Sequence, residues 1–129
     1  MKTLLIVRHA KSSWDNSSLD DFDRPLNERG LRNAPEMARR LVLRNLVPDL
    51  ILSSPANRAI STSRLMANQF GKSEQEIVQD KSIYEATRQD IQRLISRQNP
   101  DLDCLMLIGH NPGLSDYINW LCDSEIELS

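Results

Sequence analysis

The chain has 129 residues, of which 40% are hydrophobic and 26% are charged, which is typical of one soluble globular domain with its own core. We therefore predict a single domain over residues 1–129. The formal net charge of −2 gives no reason to expect a nucleic acid or a membrane surface as a partner. The first apolar run, in MKTLLIV, is too short for a signal-peptide core or a membrane span. It predicts a cytoplasmic location.

Four short apolar runs have the character of β-strands: residues 3–7, 50–52, 76–78 and 104–108. Longer stretches with helical spacing separate these runs. Such an alternation of strands and helices predicts an α/β fold with a mostly parallel central sheet and helices on both faces. The expected architecture is a three-layer α/β/α sandwich.

The first predicted helix starts at Asn27, which is a candidate N-cap. Pro35 lies in the interior of this helix and predicts either a kink or a restart at Asn33, where Glu36 would complete a capping pair. The side predicted to be buried carries Leu31, Ala34, Ala38, Leu41 and Val42.

The other predicted helices also begin at recognisable residues. Ser54 and Pro55 resemble an N-cap followed by proline at the first helical position. Thr87 with Asp90 predicts a third helix start, and Asn111–Pro112 predicts a fourth. The side chains expected to face the core from the last two helices are Ile91, Leu94, Ile95, Leu114, Tyr117, Ile118 and Leu121.

Residues 12–24 are polar and acidic, with Trp14 and Phe22 among them, and predict a long loop over the end of the first strand. Its aspartates are expected to form a solvated surface, the alternative being that they repel polyanionic small molecules. The two cysteines, Cys104 and Cys122, lack metal-ligand spacing. Both are predicted to be buried free thiols.

Three segments should meet at the carboxyl edge of the sheet, where open α/β proteins bind ligands. They carry Arg8–His9, Arg58 in SSPANRA, and His110 in LIGHNPG. Arginine binds phosphate oxygens through a planar fork of donors, and helix N-termini add backbone N–H groups. The set therefore predicts a site for a tetrahedral dianion, either a phosphoryl group in transfer or a phosphate that is bound without turnover. No glycine-rich nucleotide loop or Asp-rich metal cluster occurs in the sequence, so we expect neither cofactor nor metal.

The motifs RHAKSSW, SSPANRAIST and IGHNPG resemble the histidine phosphatase superfamily, the RHG-motif group that includes phosphoglycerate mutases. The forms RHAKSSW, DRPLNERG and IYEA are most similar to SixA-type phosphohistidine phosphatases. The resemblance runs through residues 3–122 in the family's order and implies a phosphoglycerate mutase-like fold. Members of this family usually continue into a final strand, so two alternatives are open for these 129 residues: an edge strand is missing, or it is supplied in another way.

The resemblance implies that His9 is the nucleophile and that Arg8, Arg58 and His110 hold the phosphoryl oxygens without a metal. Three further residues have two interpretations each, and a fourth, Ala10, departs from the family's pattern. Ser12 contacts the phosphoryl group or begins a turn, and Asn27 borders the site or caps a helix. Glu85 is a general acid or a surface glutamate. Ala10 replaces a glycine found in many relatives, a change small enough to preserve the site.

The implied function is a metal-independent phosphatase that forms a phosphohistidine intermediate and acts on phosphohistidine in proteins. Its partner would be a phosphorylated protein such as a histidine phosphotransfer domain. The alternatives are a broad-specificity phosphomonoesterase acting on small phosphate esters and, from another class, a non-catalytic module that binds phosphate or phosphoproteins.

Overall fold

The structure is a computed structural model of the chain and describes residues 3–9 and 20–122. Four strands form the sheet: β1 (Thr3–Arg8), β2 (Leu50–Ser53), β3 (Ile77–Gln79) and β4 (Cys104–Gly109). Four helices accompany them: α1 (Glu28–Leu43), α2 (Asn57–Gln69), α3 (Arg88–Ser96) and α4 (Gly113–Cys122). Single 3₁₀ turns are formed by Asp21–Asp23, Glu74–Glu76 and Lys81–Ile83.

The sheet has the strand order β1-β4-β2-β3, and every neighbouring pair is parallel. Strand β4 lies inside the sheet and is buried along its whole length, as expected for a parallel strand covered on both faces. Met106 and Ile108 pack with α1 and α2, whereas Leu105 and Leu107 pack with α3 and α4. The predicted three-layer α/β/α architecture and the four predicted strands are confirmed.

Helix α1 runs without interruption through Pro35, so the predicted restart at Asn33 is wrong. Interior proline costs a helix about 3 kcal/mol. On either side of it, Ala34 and Ala38 are 3% and 0% exposed, and burial of this helix face offsets the cost. The Glu36 carboxylate accepts hydrogen bonds from arginines one turn later instead of capping a new helix.

The buried face of α1 is narrower than predicted. Leu31 is 52% exposed and Val42 is 37% exposed, so both were wrongly placed in the core. Small Ala34 and Ala38 let this helix pack closely against its neighbours, and the larger side chains on its flanks remain in solvent. Leu121, near the end of α4, was also wrongly placed in the core, because it is 54% exposed.

The predicted start of α3 is confirmed. The Thr87 hydroxyl accepts from the Asp90 N–H at 3.2 Å, and the Asp90 carboxylate accepts from the Thr87 N–H at 3.0 Å. Helix α4 begins at Gly113, directly after the predicted Asn111–Pro112 signal, and Asn111 Oδ1 accepts from the Ser115 N–H at 3.1 Å.

The predicted start of α2 at Ser54–Pro55 is two residues early, because the helix begins at Asn57 with Ala56 as its N-cap. The Ser54 hydroxyl accepts from the Ala56 N–H at 3.2 Å and also contacts His110. This serine therefore shapes the approach to the helix and the site, instead of capping the helix itself.

Both cysteines are free thiols, and Cys104 is buried as predicted. The prediction of a buried Cys122 is wrong, because this residue lies in the exposed last turn of α4.

Residues 12–19 of the predicted acidic loop, which include Ser12 and Trp14, lie outside the described residues. No helix within residues 3–9 and 20–122 is long and apolar enough to cross a lipid bilayer.

Candidate active site

The strand register brings the two histidines together. Strands β1 and β4 are paired, with Arg8 opposite Gly109, so the residues that follow them, His9 and His110, leave the sheet side by side. Their ring centroids are 5.2 Å apart. The two histidines of the chain, which are 101 positions apart in sequence, therefore form one site at the carboxyl edge of the sheet.

Arg58 lies between these histidines and the Asp21–Asp23 turn. Its side chain is only 6% exposed, although it comes from the first turn of α2. Its Nε donates to Nε2 of His9 at 3.2 Å, its Nη2 donates to Asp21 Oδ2 at 2.9 Å, and its Nη1 donates to the Asp21 carbonyl oxygen. The guanidinium is thus fixed in direct contact with the imidazole that the sequence motif singles out.

His110 is held by Ser54, whose Oγ lies 2.7 Å from His110 Nε2. Burial lowers the pKa of His110, the charges of Arg58 and His9 act in the same direction, and together these causes bring it to about 4. The ring is therefore neutral at neutral pH in the free protein. Its Nδ1 atom is buried and has no hydrogen-bond partner among the described residues, which leaves this nitrogen for a ligand.

The low pKa of His110 predicts a pH-dependent stability. The unfolded chain protonates this histidine below about pH 6.5, whereas the folded protein does so only near pH 4. Between these values the unfolded state binds more protons, so the free energy of unfolding decreases as the pH falls from 6.5 towards 4. We expect the loss between pH 7 and 4.5, measured by urea denaturation, to be larger for the wild type than for His110→Asn. Equal losses in the two proteins would contradict this prediction.

Two residues that were not predicted to be functional complete the site, Tyr84 and Asp21. Tyr84 Oη donates to Asp21 Oδ2 at 2.7 Å, and the Tyr84 ring meets the His110 ring edge-on, with centroids 5.5 Å apart. The sequence analysis treated Asp21 as part of a solvated loop, and nothing local distinguishes it from Asp20 or Asp23. Tyr84 had one signal, its place in the IYEA motif.

A pocket of about 820 Å³ opens beside His110, and Glu85 lies in its wall together with Thr87, Asn111 and Asp116. The N-terminal ends of α3 and α4 border this pocket. Glu85 has a positive φ of 57°, an uncommon conformation for a residue other than glycine. The structure thus brings Glu85 to the same pocket as His110 and Arg58.

The remaining predicted site residues do not line this pocket or lie outside the described chain. Arg8 is exposed at the end of β1, next to His9. Asn27 caps α1, where its Oδ1 accepts from the Gly30 N–H at 2.9 Å, and it does not line the pocket. Ser12 lies outside the described residues. In the described ranges, no group of three or more histidine, cysteine, aspartate or glutamate side chains could hold a metal ion.

Two glycines around His110 allow the connection between β3 and α3 to pack against the site. A Cβ atom on Gly113 would lie 2.1 Å from the carbonyl oxygen of Ala86, and one on Gly109 would lie 2.9 Å from Cγ2 of Ile83. The first neighbour is backbone and the second is the end of a side chain. Gly113 is therefore the stricter requirement for placing Tyr84 and Glu85 beside His110.

Replacing Gly113 with alanine is expected to lower the free energy of unfolding by about 2–3 kcal/mol, because the backbone at Ala86 must move to remove the overlap. Gly109→Ala is the matched comparison and is expected to cost less, about 1–2 kcal/mol, because the overlap there is smaller, at 2.9 Å against 2.1 Å, and involves a side-chain methyl group instead of backbone. Urea denaturation of both variants measures the difference. A smaller loss for Gly113→Ala than for Gly109→Ala would contradict the close contact.

A buried arginine, two adjacent imidazoles and a pocket at the end of a parallel sheet can bind a phosphoryl group through positive charge and N–H donors. The model of the histidine phosphatase superfamily (branch 1) matches residues 4–102. The chain therefore belongs to the histidine phosphatase superfamily, as its motifs predict.

Three comparisons illustrate this relationship. The chain is 36% identical to an uncharacterized chloroplastic protein of Arabidopsis thaliana over 98% of its own length, but it spans only 62% of that protein. It is 34% identical to a candidate phosphohistidine phosphatase SixA from Agrobacterium tumefaciens, with a TM-score of 0.82 over 92% of this chain and 75% of that one. The phosphoglycerate mutase of Bacillus anthracis str. Sterne has a TM-score of 0.79 at 16% identity, with coverage of 99% and 83%. This last similarity confirms the phosphoglycerate mutase-like fold.

Proposed function

We propose that this protein is a metal-independent phosphatase that transfers a phosphoryl group to His9 and then to water, and that its substrate is phosphohistidine in proteins. The observation that carries the proposal is the contact between Arg58 and His9. Because Arg58 Nε donates to His9 Nε2, that nitrogen is an acceptor and carries a lone pair instead of a proton. An imidazole nitrogen in this state is a nucleophile.

The reaction consists of two displacements at phosphorus. In the first, the hydrogen bond from Arg58 Nε to His9 Nε2 is released, and the freed lone pair of Nε2 forms an N–P bond while the bond from phosphorus to the leaving group breaks; the leaving group takes up a proton from water or from Glu85. In the second, the oxygen of a water molecule forms a new P–O bond, the N–P bond breaks, and inorganic phosphate leaves. Arg8, Arg58 and His110 are assigned to the phosphoryl oxygens, where positive charge and N–H donors stabilise the transition state.

The identity of the substrate is supported by the site and by one of the relatives. Within the described part of the chain, the pocket is bordered by the Asp21–Asp23 turn and by the starts of α3 and α4. The volume of the pocket, about 820 Å³, is sufficient for a phosphorylated side chain that projects from a protein surface. The candidate SixA from Agrobacterium tumefaciens supports phosphohistidine in particular.

A broad-specificity phosphomonoesterase is the second candidate, and Glu85 favours it. A carboxylic acid in the pocket wall can protonate the leaving oxygen of a phosphate ester, which is a poor leaving group without a proton. The imidazole of phosphohistidine is protonated readily on its own and needs less help. The contribution of Glu85 therefore distinguishes the two substrate classes.

Replacing Glu85 with glutamine is expected to lower kcat for an alkyl phosphate by about 10²-fold and to change phosphohistidine hydrolysis by less than about threefold. Steady-state phosphate release with both substrates measures this ratio. Glu28→Gln, the same substitution at an exposed position of α1, is the matched control. Equal losses with the two substrates would show that Glu85 does not act as a proton donor to the leaving group.

The proposed function is tested by phosphate release from a phosphotransfer protein phosphorylated on histidine, measured beside an aryl phosphate and with His9→Ala as control. Rapid, His9-dependent release from the protein with slow ester turnover would support the proposal. The reverse preference would favour the phosphomonoesterase. Binding of vanadate without turnover of either substrate would favour the non-catalytic module.

A further inference from the structure

A chain of hydrogen bonds leads from Tyr84 through Asp21 and Arg58 to His9. Tyr84 Oη and Arg58 Nη2 both donate to Asp21 Oδ2, at 2.7 and 2.9 Å, and Arg58 Nε donates to His9 Nε2 at 3.2 Å. We propose that Asp21 and Tyr84 are positioning residues that hold the Arg58 guanidinium in the orientation required for phosphoryl transfer. This inference rests on the proposed phosphatase function.

The contacts of Arg58 determine the plane of its guanidinium. An arginine has five N–H donors in one rigid plane, and here one donor from each nitrogen is directed at His9 or Asp21. With respect to the described residues, one donor on Nη1 and one on Nη2 remain, on opposite edges of the guanidinium, and the Nη2 donor lies on the same edge as Nε, which faces His9. Because these two donors share the fixed plane, their direction is set by Asp21, which occupies the end of the guanidinium opposite His9.

Asp21 could not hold this position alone. Its side chain is 50% exposed and belongs to a single 3₁₀ turn, and its other ion pair, with Arg24, is long at 3.7 Å. The Tyr84 hydroxyl supplies a second fixed point on the same carboxylate oxygen. The neighbouring Phe22 holds Tyr84 in place in turn, because its ring packs edge-on against the Tyr84 ring, with 5.2 Å between the centroids.

Tyr84 is itself well fixed. It follows Ile83, which is 2% exposed and belongs to the core beneath α3 and α4, and its ring also contacts His110. The Tyr84 side chain therefore connects the two groups assigned to the phosphoryl oxygens. It contacts His110 directly through its ring, and it is linked to Arg58 through Asp21. The hydrogen bond from Tyr84 and the charge of Arg58 lower the pKa of Asp21, and the Asp21 carboxylate raises the pKa of Tyr84 to about 12. At neutral pH the phenol accordingly donates to a charged carboxylate.

A purely electrostatic role for Asp21 predicts the opposite effect on anion binding. If this carboxylate merely neutralised Arg58, its removal would increase the positive potential and tighten the binding of a dianion. If it positions Arg58, its removal lets the guanidinium rotate and weakens that binding. Tyr84→Phe separates the two roles cleanly, because it removes a hydrogen bond without changing any charge and keeps the ring contacts.

The experiment compares Tyr84→Phe and Asp21→Asn with the wild type in kcat and KM for an aryl phosphate, in the Kd of orthovanadate, and in thermal stability. We expect kcat to fall about tenfold for Tyr84→Phe and about 50-fold for Asp21→Asn, with KM changed less than about threefold. The Kd of orthovanadate should rise by similar factors. The matched controls are Tyr117→Phe in the core and Asp101→Asn on the surface, which should stay within about twofold of the wild type.

The outcomes separate this inference from the proposed function. An active wild type whose two variants match it in kcat and vanadate affinity would overturn the positioning role, as would tighter vanadate binding by Asp21→Asn. If the wild type binds vanadate but releases no phosphate, the phosphatase proposal fails, and the Kd values of the two variants still decide the positioning role. If the wild type neither binds vanadate nor releases phosphate, both the phosphatase proposal and the positioning role are overturned. Tyr84→Phe carries the test if Asp21→Asn does not fold.

Discussion

Replacing His9 with alanine is expected to reduce phosphate release by at least about 10⁴-fold, because the nitrogen assigned to attack phosphorus is removed with the imidazole. The core beneath the site consists of other residues, so the variant should fold. Its melting temperature should stay within a few degrees of the wild type. Steady-state phosphate release, measured with the thermal melt, tests this prediction.

The affinity of His9→Ala for orthovanadate provides the control for this measurement. Arg58 and His110 remain in the variant, so we expect it to bind the anion, more weakly than the wild type but detectably. A variant that retains more than about a tenth of the wild-type activity would contradict the assignment of His9. Loss of both activity and anion binding would show that the substitution had disrupted the site as a whole.

Replacing Arg58 with lysine is expected to lower kcat/KM by about 10²–10³-fold. Lysine keeps the positive charge, but it lacks the planar fork of donors that reaches His9, Asp21 and a ligand at the same time. The buried position, at 6% exposure, also leaves little room for an ammonium group to recruit water. Steady-state kinetics with an aryl phosphate measures the effect.

Helix α2 supplies a matched control for this substitution. Arg64 lies on the same helix, is 48% exposed and pairs with Glu74 on the surface. Arg64→Lys should leave kcat/KM within about twofold of the wild type, because exposed ion pairs contribute little. If the two substitutions reduced activity equally, the special role of the Arg58 guanidinium would be wrong.

Most of the fold could be predicted because its signals are local. Strand β4 is an unbroken apolar run that is buried on both faces, and a run of this kind indicates an interior strand of a parallel sheet. The capping pair of Thr87 and Asp90 is likewise a local signal, because the two residues that form it are only three positions apart. Pro35 shows the limit of such reasoning, since its local cost is offset by the packing of Ala34 and Ala38, which no local pattern reveals.

The candidate site was predictable where a residue follows directly from a strand end or a motif. His9, Arg58 and His110 were found in this way, and the structure brings them together. Asp21 was missed because it is 37 positions from Arg58 and 63 positions from Tyr84. Its contacts exist only after the sheet has formed, and the nearby Asp20 and Asp23 carry the same side chain. Ser54 was assigned to a helix start for a similar reason, because its contact with His110 crosses from one strand end to another.

The most direct measurement of the central claim is to trap the phosphorylated protein. The wild type is mixed with a phosphohistidine-bearing phosphotransfer protein, quenched in alkali within milliseconds to seconds, digested and analysed by mass spectrometry for the phosphorylated residue. The account predicts a phosphoryl group on His9 that is stable in alkali, labile in acid and absent from His9→Ala. Turnover without any phosphorylated His9, or a phosphoryl group on another residue, would contradict it.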